Sequence, residues 1–206
     1  MDNFIERTPL DAFLPFVMAA ARGLPETMAI AYIRQTCIEF CRRSNALRRR
    51  VTLDQQRHVV DYPIWPDDSE QIARVTEVRV GTSTYWGKRD HLEFAHWGVR
   101  YTIRDGLVHL SASPQKDVPD AIDIRFVVTP TQSACEVDSV LYDDWQNAIE
   151  DGALARIYQL PGYEFTDPRL ATSRGLSFAE RIARARVQAL KSDTTATTVA
   201  LAPRFV

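Results

Sequence analysis

Tyr142-Asp143-Asp144-Trp145-Gln146-Asn147-Ala148-Ile149-Glu150-Asp151-Gly152-Ala153-Leu154-Ala155-Arg156-Ile157-Tyr158-Gln159-Leu160-Pro161-Gly162 runs into Tyr163-Glu164-Phe165-Thr166-Asp167-Pro168, and this stretch decides the fold. Trp145, Ala148, Ile149, Gly152, Ala155, Ile157 and Leu160 follow helical spacing until Pro161-Gly162 stops them. Asp167 then reads as a capping residue, with Pro168 at the first position of a second helix. Ala171, Gly175, Phe178, Ile182, Ala185 and Ala189 continue at spacings of three and four. Arg174, Arg181, Arg184, Arg186 and Lys191 are expected to give this second helix a basic outer side. Ala148, Gly152 and Ala155 form a smooth surface that lets a neighbouring helix approach closely. Nothing in the hairpin resembles a reactive site; it reads as packing and partner contact.

Working outward, the N-terminal part is also helical. Thr8-Pro9-Leu10 precedes the apolar set Phe13, Leu14, Phe16, Val17 and Met18, and Gly23 interrupts. Pro25 stands where a helix can begin, and Ile30, Ile33, Cys37, Phe40 and Cys41 follow it on one side. That helix is expected to end near Ser44-Asn45, with Arg42-Arg43 and Arg48-Arg49-Arg50 suited to the negative end of its dipole. Beyond it the period shifts toward two. Val51 and Leu53 alternate with Thr52 and Asp54, and Ile122, Ile124, Phe126 and Val128 alternate with Asp123, Arg125 and Val127 until Pro130. Asp105-Gly106, between 101–104 and 107–110, is the clearest hairpin signal. The segment 72–80 reads as a strand without a cleanly apolar face, and 81–98 as a long hairpin or exposed loop. Four to six antiparallel strands are expected between 50 and 130.

The expected class is therefore α+β. Residues 1–50 and 140–192 form a helical bundle, 51–135 a central antiparallel β-rich insertion, and 193–206 an extended C-terminal tail. The tail ends on apolar residues and cannot bury itself as a helix, so another subunit is expected to hold it.

Bulk properties narrow the function classes. With 206 residues, 45% hydrophobic and 25% charged, the chain can bury a sizeable core. A formal charge of −2 gives no electrostatic case for strong nucleic-acid binding by the chain as a whole. No apolar run approaches the roughly 20 residues of a membrane span, and Met1 to Glu6 has no basic n-region or apolar h-region, so no secretory signal is expected. Cys37, Cys41 and Cys135 lack a disulfide spacing; the first two, a helical turn apart, read as small buried hydrophobes. His91-Leu92-Glu93 has the spacing of a zinc deaminase but lacks the Pro-Cys-x-x-Cys partner, and Cys37, Cys41, His91 and His96 are a poor zinc set. The remaining histidines, His58 and His109, join no motif. Asp67-Asp68-Ser69-Glu70 reads as a solvated loop, Asp143-Asp144 as acids at a helix start, and the arginines at 42–50 and 174–186 as solvated or interfacial. No catalytic, cofactor-binding or metal-binding residues are expected.

The run from Asp144 to Gly162, then Thr166-Asp167-Pro168-Arg169-Leu170-Ala171 and Phe178 to Arg186, resembles the C-terminal half of head-to-tail adaptor (connector) proteins of tailed bacteriophages, similar to the tail tubular protein A group. Leu14-Pro15 and the helix end Glu39-Phe40-Cys41-Arg42-Arg43 are similar as well. The resemblance implies a virion structural protein without enzymatic activity or cofactor. It implies a homo-oligomeric ring of twelve subunits in the virion neck, made in the host cytoplasm and not in a membrane. One side of the ring would dock on the portal protein and the other on a tail tube or nozzle protein. Genomic DNA would leave through the ring without sequence-specific binding. Two alternatives stand beside it: a metal-dependent nuclease or other small phage enzyme using Asp143, Asp144 and nearby histidines, or a DNA-binding regulator using the arginine-rich helix 168–191.

Overall fold

The computed structural model describes residues 5–87, 100–104 and 106–192. In chain order the elements are β1 (Arg7–Pro9), a 3-10 turn (Leu10–Phe13), α1 (Leu14–Ala20), α2 (Glu26–Ser44), β2 (Arg48–Gln55), β3 (Asp61–Pro63), β4 (Glu70–Val80), β5 (Ser83–Gly87), β6 (Arg100–Arg104), β7 (Leu107–Leu110), β8 (Val118–Pro130), β9 (Glu136–Asp138), α3 (Val140–Asp143), α4 (Gln146–Ile157) and α5 (Pro168–Ser192). The chain is thus mixed α and β. One seven-stranded sheet runs β2-β8-β4-β5-β6-β7-β3, and β1 pairs with β9 in a separate ribbon.

Helix α2 lies at the centre of the packing. Ala29, Ile33, Cys37, Phe40 and Cys41 recur at helical spacing and are all fully buried. Asn45 ends the helix in the left-handed region at φ 60°, its N–H donating to the Cys41 carbonyl at 3.0 Å. The helix contacts β8 as well as α4 and α5, so a single core continues from the sheet into the C-terminal hairpin. The Phe40 ring lies 5.4 Å from Trp145 and 6.3 Å from Phe178. Burial of each such side chain contributes roughly 1.5–3 kcal/mol.

Strand β8 is the long central partner. Its inward row Ile122, Ile124, Phe126 and Val128 is buried, as its alternation predicts. The neighbouring β4 explains why its sequence shows no apolar face. Its register on β8 shifts between Ile72 and Arg74 and again between Val75 and Glu77. Each shift inserts one residue and restores the phase. Ile72, Val75, Val78 and Val80 consequently stand opposite Val128, Phe126, Ile124 and Ile122, and Arg74, Glu77 and Arg79 face the other way.

Three expectations need correction. The sheet is not wholly antiparallel, because β5 and β6 pair in parallel, with Trp86 opposite Arg100. Of segment 81–98, read as a long hairpin or exposed loop, residues 83–87 form β5, which folds back on β4 with Val80 opposite Ser83; residues 88–98 lie outside the described residues. Arg48-Arg49-Arg50 do not trail the helix but open β2, where pairing with β8 alternates their directions. Finally, β1 was not expected: Arg7-Thr8-Pro9 pairs with Glu136-Val137-Asp138. The 101–110 hairpin forms as the sequence suggests, with Arg104 opposite Leu107 and Gly106 at φ 77°. Trp97, Gly98, Asp105 and the tail 193–206 lie outside the described residues.

Candidate functional site

The C-terminal hairpin is built from local signals. Asp167 Oδ1 accepts the N–H groups of Arg169 at 2.8 Å and Leu170 at 3.0 Å, the expected cap for α5. The corner is tied back by the Asp167 N–H donating to the Tyr158 carbonyl at 3.0 Å and by the Thr166 hydroxyl donating to the Leu160 carbonyl. Tyr163 and Phe165 stack with ring centroids 4.8 Å apart, and the Tyr163 hydroxyl lies 3.9 Å from the Met28 sulfur on α2.

The inner face of the hairpin is sealed within the chain. Ala148, Gly152 and Ala155 are buried. A Cβ on Gly152 would stand 2.5 Å from Thr36 Cγ2 and 2.9 Å from the Phe178 ring, so α2 and α5 close on α4 only because that position lacks one. Charges lock the same packing. Asp151, with a side chain 5% exposed, accepts from Arg174 at 2.6 Å and Arg181 at 2.9 Å. That hydrogen bond is the main cause holding the Arg174 guanidinium above its ordinary pKa, while burial pushes the neighbouring Glu150 carboxyl up. Arg156 donates to Thr36 Oγ1 at 2.9 Å and also pairs with Glu39 of α2. Arg174 and Arg181 are thus turned inward, and the basic outer side expected for α5 is left to Arg184, Arg186 and Lys191.

The outer side of α5 carries a row that the sequence reading missed. Leu176, Val187 and Leu190 are 69%, 51% and 57% exposed. With Ala179 and Ala183 they recur at spacings of three and four, the same periodicity that marks the buried row Ala171, Phe178, Ile182, Ala185 and Ala189. A test for two apolar stripes on one helix finds them both. Glu180 and Arg184 flank the outer row and pair at 2.5 Å.

A second cluster lies where the β1–β9 ribbon meets the sheet. Arg49 Nη2 reaches Glu70 Oε1 at 2.5 Å and Asp138 Oδ2 at 2.6 Å, and Arg7 reaches Glu70 at 3.2 Å and also pairs with Asp67. Glu70 and Asp138 side chains are only 2% and 9% exposed. The solvated-loop reading of 67–70 therefore fails for Glu70, which is the buried first residue of β4. Burial pulls the Arg49 pKa down, but Glu70 and Asp138 more than offset it and the net direction is up. These groups are saturated by one another, which suits a structural joint.

Other candidate residues are dispersed. Asp143 closes the four-residue α3 and Asp144 sits in the link before α4, not in the first turn of a long helix. His58 is exposed in a turn at φ 64°, and His109 pairs with Asp61 at 2.7 Å on the surface. Cys37 and Cys41 are fully buried, and Cys135 is exposed. His91, Glu93 and His96 lie outside the described residues. Among the described residues no three His, Cys, Asp or Glu side chains converge as metal ligands, and no helix is long and apolar enough to cross a membrane. The chain matches no protein-family model, and none of the curated proteins matches it.

Proposed function

We propose that this chain is a structural subunit of a tailed-bacteriophage neck, a head-to-tail adaptor that docks beneath the portal and connects it to the tail tube or nozzle. In this reading segments 1–50 and 140–192 form the helical body, 51–135 is the insertion, and twelve copies close a ring around the DNA exit channel. The tail 193–206 extends to a neighbouring subunit or the portal, adding a strand to an exposed edge. The resemblance of the hairpin sequence motivates the proposal. The observation that carries it is the apolar outer row of α5, Leu176, Val187 and Leu190, on a helix whose opposite face is already filled. Exposed apolar rows rimmed by charge suit protein contact. The regulator alternative is weakened because Arg174 and Arg181 are committed to Asp151.

The test is sedimentation of the full chain alone and with portal particles. Leu176→Glu combined with Val187→Glu, and separately deletion of 193–206, are expected to abolish docking while the far-UV spectrum of the subunit stays unchanged. Docking that survives both changes refutes the reading. Metal-dependent phosphodiester cleavage lost in Asp144→Ala would favour the enzyme instead.

A further inference from the structure

The face of β2, β8 and β4 turned away from the core has a composition of its own. Register places Arg48, Val127 and Arg74 in one row across the strands, Arg50, Arg125 and Glu77 in the next, and Thr52, Asp123 and Arg79 in the third. With strands roughly 4.8 Å apart and a two-residue repeat of roughly 6.7 Å, this grid covers about 10 by 13 Å. It holds five guanidiniums and two carboxylates.

The two signs lie at different depths. Asp123 pairs with Arg50 at 2.7 Å and Arg125 at 3.9 Å, and Glu77 with Arg79 at 2.6 Å and Arg125 at 3.4 Å. The carboxylate side chains are 15% and 23% exposed, against 63% for Arg50 and 47% for Arg79. The acids sit low on the sheet and the arginines cover them. Arg74 donates to the neutral side-chain oxygen of Asn45. Burial, together with the charges of Arg74 and Arg125, pulls the Arg48 guanidinium below its ordinary pKa, as crowding of like charges requires. Each guanidinium has five N–H donors, so one carboxylate contact leaves donors for another anion.

The chemistry of the face also selects among anions. Protein partners are normally held by apolar or aromatic anchors at the centre of a contact. Here the one apolar side chain in the grid, Val127, is 0% exposed. A polar, arginine-covered surface is the composition of a nucleic-acid contact, where planar guanidiniums match phosphate oxygens. Among the described residues strand β2 ends the sheet.

We infer that the outer face of β2, β8 and β4 binds the phosphate backbone of duplex nucleic acid through Arg50, Arg74, Arg79 and Arg125, without reading base sequence. The whole-chain charge of −2 does not reveal this face, where five guanidiniums stand with Glu77 and Asp123 and the exposed Asp54 continues the β2 row beyond Thr52. The inference stands apart from the adaptor reading: duplex binding by the chain and docking to portal particles are separate assays, and either can fail alone.

The experiment is fluorescence anisotropy of a labelled random-sequence duplex titrated with the full chain from about 50 mM salt upward. Three to four neutralised phosphates predict a log–log salt slope of about −3. Arg50→Gln with Arg79→Gln is expected to weaken binding at least about tenfold and to reduce the slope by about two, close to 0.9 for each lost contact. Glu77→Gln, which removes a half-buried competing carboxylate, is expected to tighten binding severalfold, and it decides by sign if the double variant fails to fold. Arg184→Gln with Arg186→Gln on α5 should bind as the parent does. No binding at the lowest salt, an unchanged slope in the double variant, weaker binding by Glu77→Gln, or preference for a polyglutamate peptide over duplex of equal charge would each overturn the inference.

Discussion

Gly152→Ala is the most informative single perturbation of the hairpin, because two effects of opposite sign compete at one atom. Alanine is the better helix former by about 1 kcal/mol, and on an exposed helix the change would stabilise. Here the new methyl would lie 2.5 Å from Thr36 Cγ2 and 2.9 Å from Phe178 Cδ2 and Cε2, where carbon atoms normally rest about 3.5–4.0 Å apart. One of the helices must therefore retreat by about 1 Å. Thr36 cannot simply rotate, since its hydroxyl donates to the Tyr32 carbonyl at 2.8 Å and accepts from Arg156 at 2.9 Å. Turning the methyl away forfeits both bonds, each worth about 1 kcal/mol. Overpacking in a close-packed interior costs about 1–3 kcal/mol. With both α2 and α5 obstructed the upper part of that range applies, and a net loss of about 1–2 kcal/mol remains after the propensity gain. For a chain of this size that lowers Tm by about 2–8 °C. Denaturant unfolding of Gly152→Ala, Thr36→Ser and the double variant completes a cycle, with the double variant expected to recover part of the loss. Gly152→Ala at or above parental stability would show that α4 has room to move, and the close-approach argument would be wrong.

Arg49→Met should cost about 3–5 kcal/mol, because it leaves Asp138 and Glu70 buried beside a lost cation; a change under about 1 kcal/mol by urea unfolding would mean that water replaces the guanidinium. Burial pushes the Glu39 carboxyl up, but hydrogen bonds and charges from Arg43 and Arg156 outweigh it and hold the pKa below 4.5. A carboxyl depressed in the folded state adds stability above its unfolded pKa, and that stability is lost as pH falls through the folded value. Arg156→Gln is accordingly expected to be less stable than the parent at neutral pH and to approach it below pH 4.5, and parallel Tm–pH curves would contradict this. Burial pushes the Cys37 thiol up to about 12 and Cys41 well above its ordinary value, so native-state alkylation followed by mass mapping should label Cys135 alone; rapid modification of Cys37 or Cys41 would show that α2 opens readily.

Much of the fold was legible because its signals are local. Asp167-Pro168 starts α5 wherever the helix goes, since the cap satisfies N–H groups two and three residues away. Ile122, Ile124, Phe126 and Val128 show their alternation openly because β8 runs without a bulge from 122 to 128. Segment 72–80 was obscure for the opposite reason. Its two bulges exist relative to β8, so the apolar face of β4 becomes visible only when Val75 is set against Phe126 and Val78 against Ile124. The candidate sites divide in the same way. The hairpin could be found from its order of residues, but the inward turn of Arg174 and Arg181 required Asp151, from another helix, to be placed beside them.

The sequence alone determined the start of α5 at Asp167-Pro168, the end of α2 near Asn45, the 101–110 hairpin, the buried cysteines of α2 and the small-residue surface of α4. Each depends on neighbours within a turn or a strand pair. Tertiary structure alone decided that Arg49 faces an acidic pocket while Arg48 and Arg50 face outward, that Glu70 is buried and Asp67 is not, and that β5 and β6 run parallel. It also decided that Gly152 is the point where three helices meet. Those outcomes rest on pairs such as Arg49 with Asp138 and Thr36 with Gly152, far apart in the chain and brought together only when the sheet and hairpin close on α2.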